Sequence, residues 1–274
     1  MKLSIITVNL NNRDGLQKTI DSVVAQTFKD FEWIVIDGGS TDGSKELIER
    51  YSDHFAYWVS EPDKGIYNAM NKGIKVAQGE YLQFLNSGDW LWNKDILQEV
   101  LFDDSKNEVD ILYGKSLVHD VNGEVFEYGP HYNTFTPFSL IYSTISHPAT
   151  FTRRELFEKY GFFDESFRIA GDLEFFFRAI ILNHATTKYI NRTITHFAGG
   201  GLSMTSPEQT EKEKHLIIDK YMLSGSSADY NHYVSLLKYE NLFQEKKRAI
   251  SVYDSLHQHW FSRKAMHLLY RIFK

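Results

Sequence analysis

The chain has no cysteine among its 274 residues, which excludes a disulfide framework, a thiolate metal site and a thiol nucleophile. Proline is sparse at five, and seventeen glycines are too few for a low-complexity or fibrous sequence. No apolar stretch approaches the ~20 residues of a membrane-spanning helix; the run from Phe175 to Leu182 is broken by Arg178. Met1 to Val8 give only a short apolar segment before Asn9, Asn11, Asn12 and Arg13, too brief for a secretory core, so a cytoplasmic location is expected. Neither GxGxxG nor GxxxxGK[ST] occurs, so the usual glycine-rich phosphate cradles are missing as well.

What is present is a 42% hydrophobic, 15% aromatic chain, long enough to bury a large core. The net charge is −6, unevenly spread: eleven basic against eight acidic side chains lie from Glu208 onward, leaving nineteen against twenty-eight before it. An acidic larger part makes nucleic acid an unexpected partner, and a bound polyphosphate would need a counter-charge other than a Lys/Arg cradle.

Through residue 113 two hydrophobic periods alternate. Leu3 to Val8, Glu32 to Ile36, Phe55 to Val59, Glu80 to Leu85 and Asp110 to Tyr113 read as buried strands. Between them, Leu16, Ile20, Val23 and Val24, then Leu47, Ile48 and Tyr51, then Ile66, Ala69, Met70, Gly73, Ile74 and Ala77 form helical stripes. This alternation predicts an α/β fold with a doubly wound, mainly parallel sheet. A hairpin is expected over Lys115 to Tyr128 with Asn122-Gly123 as a tight primed turn. Residues 130 to 148, with three prolines among aromatics and hydroxyls, read as cleft-lining loops. Helices are expected near Arg153 to Tyr160, ending at Gly161, and from about Asp172 to Leu182, the latter buried. The division expected is a catalytic domain over 1–206 and a helical extension over 207–274.

In an open parallel sheet, ligands bind beyond the carboxyl ends of the strands. Four polar loops fall there: Asn9 to Asn12, Asp37 to Gly43, Glu61 to Gly65 and Asn86 to Asp89. One such loop alone is ordinary turn chemistry, but four on one edge make a candidate site. Asp89, after Gly88, is placed to give a hard oxygen to Mg²⁺ or Mn²⁺, which would supply the missing counter-charge; the alternative is a cap before a helix over Trp90 to Phe102.

At these residues the sequence resembles family 2 of the inverting glycosyltransferases, which have the A-type nucleotide-sugar-binding fold. The resemblance is carried by SIITVNLNN, DFEWIVIDGGSTDGS, EPDKGIYNAMNKGIKVAQGEYLQFLNSGD, HPATFTRRELFEKYGFFDE and AGDLEFFFR, spans about residues 1 to 205, and is nearest to bacterial enzymes that build surface polysaccharides. It implies a nucleotide-sugar donor, a saccharide or lipid-linked saccharide acceptor, and Mn²⁺ or Mg²⁺ held by Asp89 as the last aspartate of the family's DxD signature. It also implies that Asp37 lies near the base and ribose. Two departures stand out: the usual LDxDD reads Leu85-Asn86-Ser87-Gly88-Asp89, and the usual aspartate pair after the second strand reads Asp37-Gly38.

The donor contacts taken from this pattern are Thr7, Asn9, Asp37, Gly39, Asp63, Lys64, Asn68, Asn86 and Ser87. The resemblance places the catalytic base at Asp172, with Glu174 as rival and an N-cap role as the bland alternative. At a helical step of two residues the two carboxylates cannot both face the cleft, and the amino end of a buried helix favours Asp172. His196 is a second metal ligand by analogy with A-type enzymes, against a purely structural histidine, and His147 is a weaker candidate for touching acceptor. Gly199-Gly200-Gly201 could fold over a diphosphate.

Trp260 to Lys274 carries four basic residues and no acid on an amphipathic pattern, which suits a membrane interface or packing on this domain or on a second copy of the chain. Two rival functions are a nucleotidyltransferase, whose basic glycine-rich signature is missing at Asn9 to Arg13, and a non-catalytic nucleotide-sugar or glycan-binding module.

Overall fold

The first strand, β1 (Leu3–Asn9), is buried along its whole length, because helices cover both faces of a parallel sheet. The computed structural model describes residues 1–101 and 109–258. Helix α1 (Arg13–Val24) follows β1, started by Asn12, whose side chain accepts from the Gly15 N–H. Then come β2 (Phe31–Asp37), α2 (Ser44–Arg50), β3 (Tyr57–Ser60), α3 (Ile66–Val76) and β4 (Tyr81–Phe84). β3, β2, β1 and β4 lie side by side in that order, all parallel. The expected doubly wound half is therefore present, strand by strand.

The second half is mixed. After β5 (Trp90–Leu91) and α4 (Ile96–Leu101), β6 (Ile111–His119) and β7 (Val125–Tyr128) pair as an antiparallel hairpin. α5 (Pro137–Tyr142), β8 (Thr150–Arg153), α6 (Arg154–Tyr160), α7 (Gly171–Phe176) and β9 (Thr187–Ala198) follow. β8 runs antiparallel between β4 and β6; β9 is parallel to β6, and β5 lies antiparallel on its outer edge.

Several expectations change here. The segment from Trp90 is not one helix: it opens as a strand, and helix begins only at Ile96. The hairpin tip is not a two-residue primed turn. Asp120 to Gly123 closes through the Gly123 N–H to the Asp120 carbonyl, and only Gly123 has positive φ, +84°. Asp120 Oδ1 accepts from the backbone of Asn122 and Glu124, which pins that longer turn. Residues 130 to 148 contain α5, fixed by a Thr136/Ser139 capping box. The buried helix after Asp172 is α-helical only to Phe176, continuing as a π-helical turn over Phe177–Leu182.

Beneath one face of the sheet, Leu16, Ile20 and Val23 of α1 and Leu47 and Ile48 of α2 pack on Leu3, Ile5, Trp33 and Val35. Elsewhere Phe157 and Phe175 stack at 4.1 Å between ring centres, with Phe163 and Phe84 edge-on beside them. Each such buried ring contributes about 1.5–3 kcal/mol, and the cluster anchors the segment that carries Asp172.

The chain divides into two compact units, Met1–Ile217 and the part from Ile218 onward, where the sequence suggested a division after residue 206. α8 (Leu202–Thr205) and most of α9 (Pro207–Tyr221) thus belong to the first unit; α10 (Ser226–Gln258) belongs to the second. Among the described residues no helix is long and apolar enough to cross a membrane. The amphipathic stretch 260–274 lies outside the described residues.

Candidate active site

Parallel register lines up Asn9 with Asp37 and Asp37 with Ser60, so three polar side chains sit in one row at the carboxyl edge of β1, β2 and β3. The Asp37 carboxylate accepts from Asn9 Nδ2 at 2.7 Å, Ser40 Oγ at 2.6 Å, Ser40 N at 2.9 Å and Ser60 Oγ at 2.6 Å. Burial works against its charge, but hydrogen bonds from Ser40, Ser60 and Asn9 outweigh it and hold the carboxyl below the usual range.

Beyond this row opens a cleft of about 1220 Å³. Asn9, Asn12, Asp63, Lys64, Asn68, Asn86, Ser87 and Asp89 line it, together with His147, Asp172 and Ala198 to Ser203. Asp37 and Gly39 do not line it; Asp37 braces the loop behind Asn9 through Asn9 and Ser40. Thr7 is fully buried, and its Oγ1 accepts from Trp33 Nε1 at 3.0 Å. The expected donor contact at Thr7 is thus corrected: the residue fills the sheet interior.

Gly38 stands where the family pattern has a second aspartate, and a Cβ there would collide with the Asp63 carboxylate. The Asp63 carboxylate of the third loop therefore lies against Gly38 of the second. Asp63 itself is held by the Gly65 N–H at 2.9 Å on Oδ1.

The loop after β4 is tied down by a residue with no sequence signal of its own, Thr19 of α1. Its hydroxyl donates to the Asp89 carbonyl at 2.7 Å and accepts from Gly88 N at 3.0 Å. Asn12 Nδ2 adds a bond to the Ser87 carbonyl at 2.9 Å. Gly88 has φ +103°, and a Cβ there would press on Asn12 and Ala198. Asp89 is buried and accepts from Ala198 N at 3.0 Å. Burial raises its carboxyl to about 7, opposed by the His147 charge and the Ala198 N–H. It caps no helix, since α4 starts seven residues later.

Asp172 reaches the cleft from α7. Oδ1 accepts from Leu173 N at 2.9 Å and Tyr67 Oη at 3.2 Å, and Oδ2 faces His147 Nδ1 at 3.2 Å. The N-cap position belongs to Ala170, which caps through no side chain. Glu174 points elsewhere: 1% exposed, it takes Arg178 Nε on both oxygens at 3.0 Å. Arg178 also donates to the Tyr160 and Phe162 carbonyls, so this pair locks the preceding loop. Tyr67, buried under Asp172, is pushed well above its ordinary value by burial and by that carboxylate's charge, and so keeps its proton.

His147 does not stand free for an acceptor. Besides Asp172, its Nε2 meets Asn86 Nδ2 at 3.1 Å. Burial opposes its charge, but the hydrogen bond and charge of Asp172, with the charge of Asp89, win and raise it. It joins the Asn86 loop to Asp172, a connection that adjacency to Pro148 could not reveal.

The metal role expected of His196 is corrected. Phe197 and Ala198 line the cleft, and His196 does not. The His196 ring stacks between Trp90 (4.6 Å) and Trp92 (4.9 Å), and Nδ1 meets His119 Nε2 at 2.8 Å. Among the described residues no three His, Cys, Asp or Glu side chains gather as a metal site. Gly199 to Gly201 do line the cleft, with Gly200 at φ +96°.

A parallel sheet with a polar cleft at its carboxyl edge, completed by a mixed second half, defines a nucleotide-binding α/β enzyme class. The family model described as Glycosyl transferase family 2 matches residues 4–177, and the chain belongs to that family. Among its relatives, an uncharacterized glycosyltransferase of Mycobacterium tuberculosis, Rv1514c, is 38% identical over 68% of this chain and 71% of its own length. A PGL/p-HBAD biosynthesis glycosyltransferase of Mycobacterium bovis is 31% identical over 74% and 79% respectively. In fold, the chain resembles S. aureus TarS 1-349 in complex with UDP-GlcNAc, with TM-score 0.65 and 23% identity over 84% of this chain and 69% of that one. It covers 41% of the longer TarS chain. The A-type arrangement expected from the sequence is the one observed.

Proposed function

We propose that this glycosyltransferase moves a sugar, with inversion, from a nucleoside-diphosphate sugar to an acceptor hydroxyl, assisted by a divalent cation, in the assembly of a surface saccharide. The observation that carries this reading is that Asp89 and Asp172 line a single cleft and both act on His147. Asp172 takes the acceptor proton as the acceptor oxygen forms its bond to the anomeric carbon; the bond from that carbon to the β-phosphate oxygen breaks on the opposite face, and its electron pair leaves with the diphosphate. A positioned base contributes about 10²- to 10⁴-fold.

The residues fit a hard cation. The Asp89 carboxyl is buried beside the cleft, and Asn86 Oδ1, in the same loop, is buried with no hydrogen-bond partner. One carboxylate suffices where diphosphate and water fill most of the coordination shell. When bound there, Mg²⁺ or Mn²⁺ supplies positive charge to the departing diphosphate. Asp63, Lys64 and Asn68 stand where they can contact nucleotide or pyrophosphate. The TarS complex makes UDP-sugars the first donors to test, and the acceptor is a saccharide or a lipid-linked saccharide. A cysteine-free chain using a nucleotide-activated donor suits the cytoplasm.

The test is a panel of UDP-, GDP- and dTDP-sugars with Mn²⁺, Mg²⁺ or chelator, read as nucleoside diphosphate release. Asp89→Asn weakens cation-dependent donor binding, whereas Asp172→Asn keeps donor binding and loses turnover. Release of pyrophosphate instead would identify a nucleotidyltransferase, and binding without turnover on donor and acceptor panels a binding module.

A further inference from the structure

Helix α9 lies outside the stretch matched by the family model, yet one of its side chains is built into the catalytic loop. Glu213, 2% exposed, accepts three consecutive backbone N–H groups: Arg168 at 3.1 Å on Oε1, and Ile169 at 2.9 Å and Ala170 at 2.8 Å on Oε2. Gln209, one turn earlier, donates to Oε1 at 2.8 Å. Burial opposes the charge, but Gln209 and the three amides prevail and lower this carboxyl, so it stays ionised near neutrality.

We propose that Glu213 is a positioning residue for Asp172, acting by clamping the backbone of residues 168–170. The proposal rests on the reading of Asp172 as base. Ile169 is gripped from both sides, its N–H by Glu213 and its carbonyl by the Tyr67 hydroxyl. The next residue but one is Gly171, where a Cβ would strike the Tyr67 ring at 2.7 Å, and Asp172 follows directly. Residues 161–170 have no helix or strand ladder of their own, so these bonds supply the order that regular structure supplies elsewhere. Displacing a catalytic group by about 1 Å can cost ~10²-fold in rate. Thr210 and Lys214 of the same helix line the cleft, which places α9 in its wall as well as behind its base.

Full-length Glu213→Gln and Glu213→Ala are compared with wild type in kcat, in affinity for UDP, GDP and dTDP by calorimetry, and in amide exchange over 168–172. The expected result is graded: kcat falls roughly 10- to 100-fold in Glu213→Ala and less in Glu213→Gln, which keeps one acceptor oxygen. Exchange quickens in the same order, and affinity for the nucleotide that binds wild type stays within about twofold, since donor contacts lie on other loops. A general loss of structure would lower nucleotide affinity together with kcat, and that outcome overturns the proposal. So does wild-type kcat in Glu213→Gln. If Glu213→Ala fails to fold, Glu213→Gln decides by the same readings. A wild type that releases no nucleoside diphosphate from any donor sinks the functional reading, which is distinct from normal wild-type turnover with unaltered variants.

Discussion

His147 stands between the two halves of the site, with Nδ1 3.2 Å from Asp172 Oδ2 and Nε2 3.1 Å from Asn86 Nδ2. Two carboxylates raise its proton affinity. With its amide nitrogen toward Nε2, Asn86 keeps Oδ1 without a hydrogen-bond partner, so that oxygen stays available to the cation. His147→Ala is expected to lower kcat about 10- to 100-fold, and His147→Asn, which keeps a donor near the Nδ1 position, to recover part of it. Because the folded-state value is raised, the pair's stabilising contribution is complete below the ordinary 6.5 and is lost as pH rises through the higher folded value. Thermal melts of wild type and His147→Ala should therefore converge at alkaline pH.

Asp89 should show the opposite trade between stability and function. Its carboxyl is raised from 3.8 to about 7 by burial, so the folded chain holds a proton that the unfolded chain has released between those values. Stability accordingly falls as pH rises across that window, by at most about 4 kcal/mol at 1.36 kcal/mol per unit. Asp89→Asn keeps an oxygen for the Ala198 N–H but cannot ionise. Its Tm should match wild type near pH 4 and exceed it at pH 8 without metal, while Mn²⁺-supported turnover is lost. Differential scanning calorimetry across pH, with and without Mn²⁺, measures both effects.

The Asp63 carboxylate occupies the space that a side chain at Gly38 would need. Gly38→Asp, which restores the usual family pair, is expected to displace Asp63 and raise donor KM severalfold, with little change in kcat at saturation. Asp63→Ala should also raise donor KM. Gly38→Asp combined with Asp63→Ala should recover part of the loss if the two positions share one role. Steady-state kinetics on the four proteins form a double-mutant cycle that reads this coupling.

The parallel half of the sheet was legible because β1, β2 and β4 are continuous buried runs set between helical stripes, a pattern that few alternatives share. The four polar loops followed from topology alone. The strands β8 and β9 left weaker traces: Thr150 to Arg153 is four residues long, and Thr187 to Ala198 mixes Lys, Asn, Arg and His into its alternation. Missing β9 left the direction of His196 unread, since only the pairing of His196 with Trp90 and Leu117 turns its ring away from the cleft. Thr19, Tyr67 and Glu213 were invisible for another reason. Their roles arise from contacts across 69, 105 and 43 residues of sequence, and such closures leave no local periodicity.

The two acids of α7 can be separated by experiment because they fail in different ways. Asp172 touches the cleft, His147 and Tyr67; Glu174, two residues on and about 200° around the helix, is buried against Arg178. Glu174→Gln leaves the Arg178 charge in a poorly hydrated pocket, which typically costs 3–5 kcal/mol, and should lower Tm by about 10 °C for a unit of this size. The folded fraction should retain kcat close to wild type, because no reacting atom is touched. Asp172→Asn should do the reverse, with Tm changing by only a few degrees and kcat falling at least 10²-fold. Calorimetry and turnover on the same preparations test the assignment: a Glu174→Gln protein that is stable but inactive would move the base from Asp172 to Glu174.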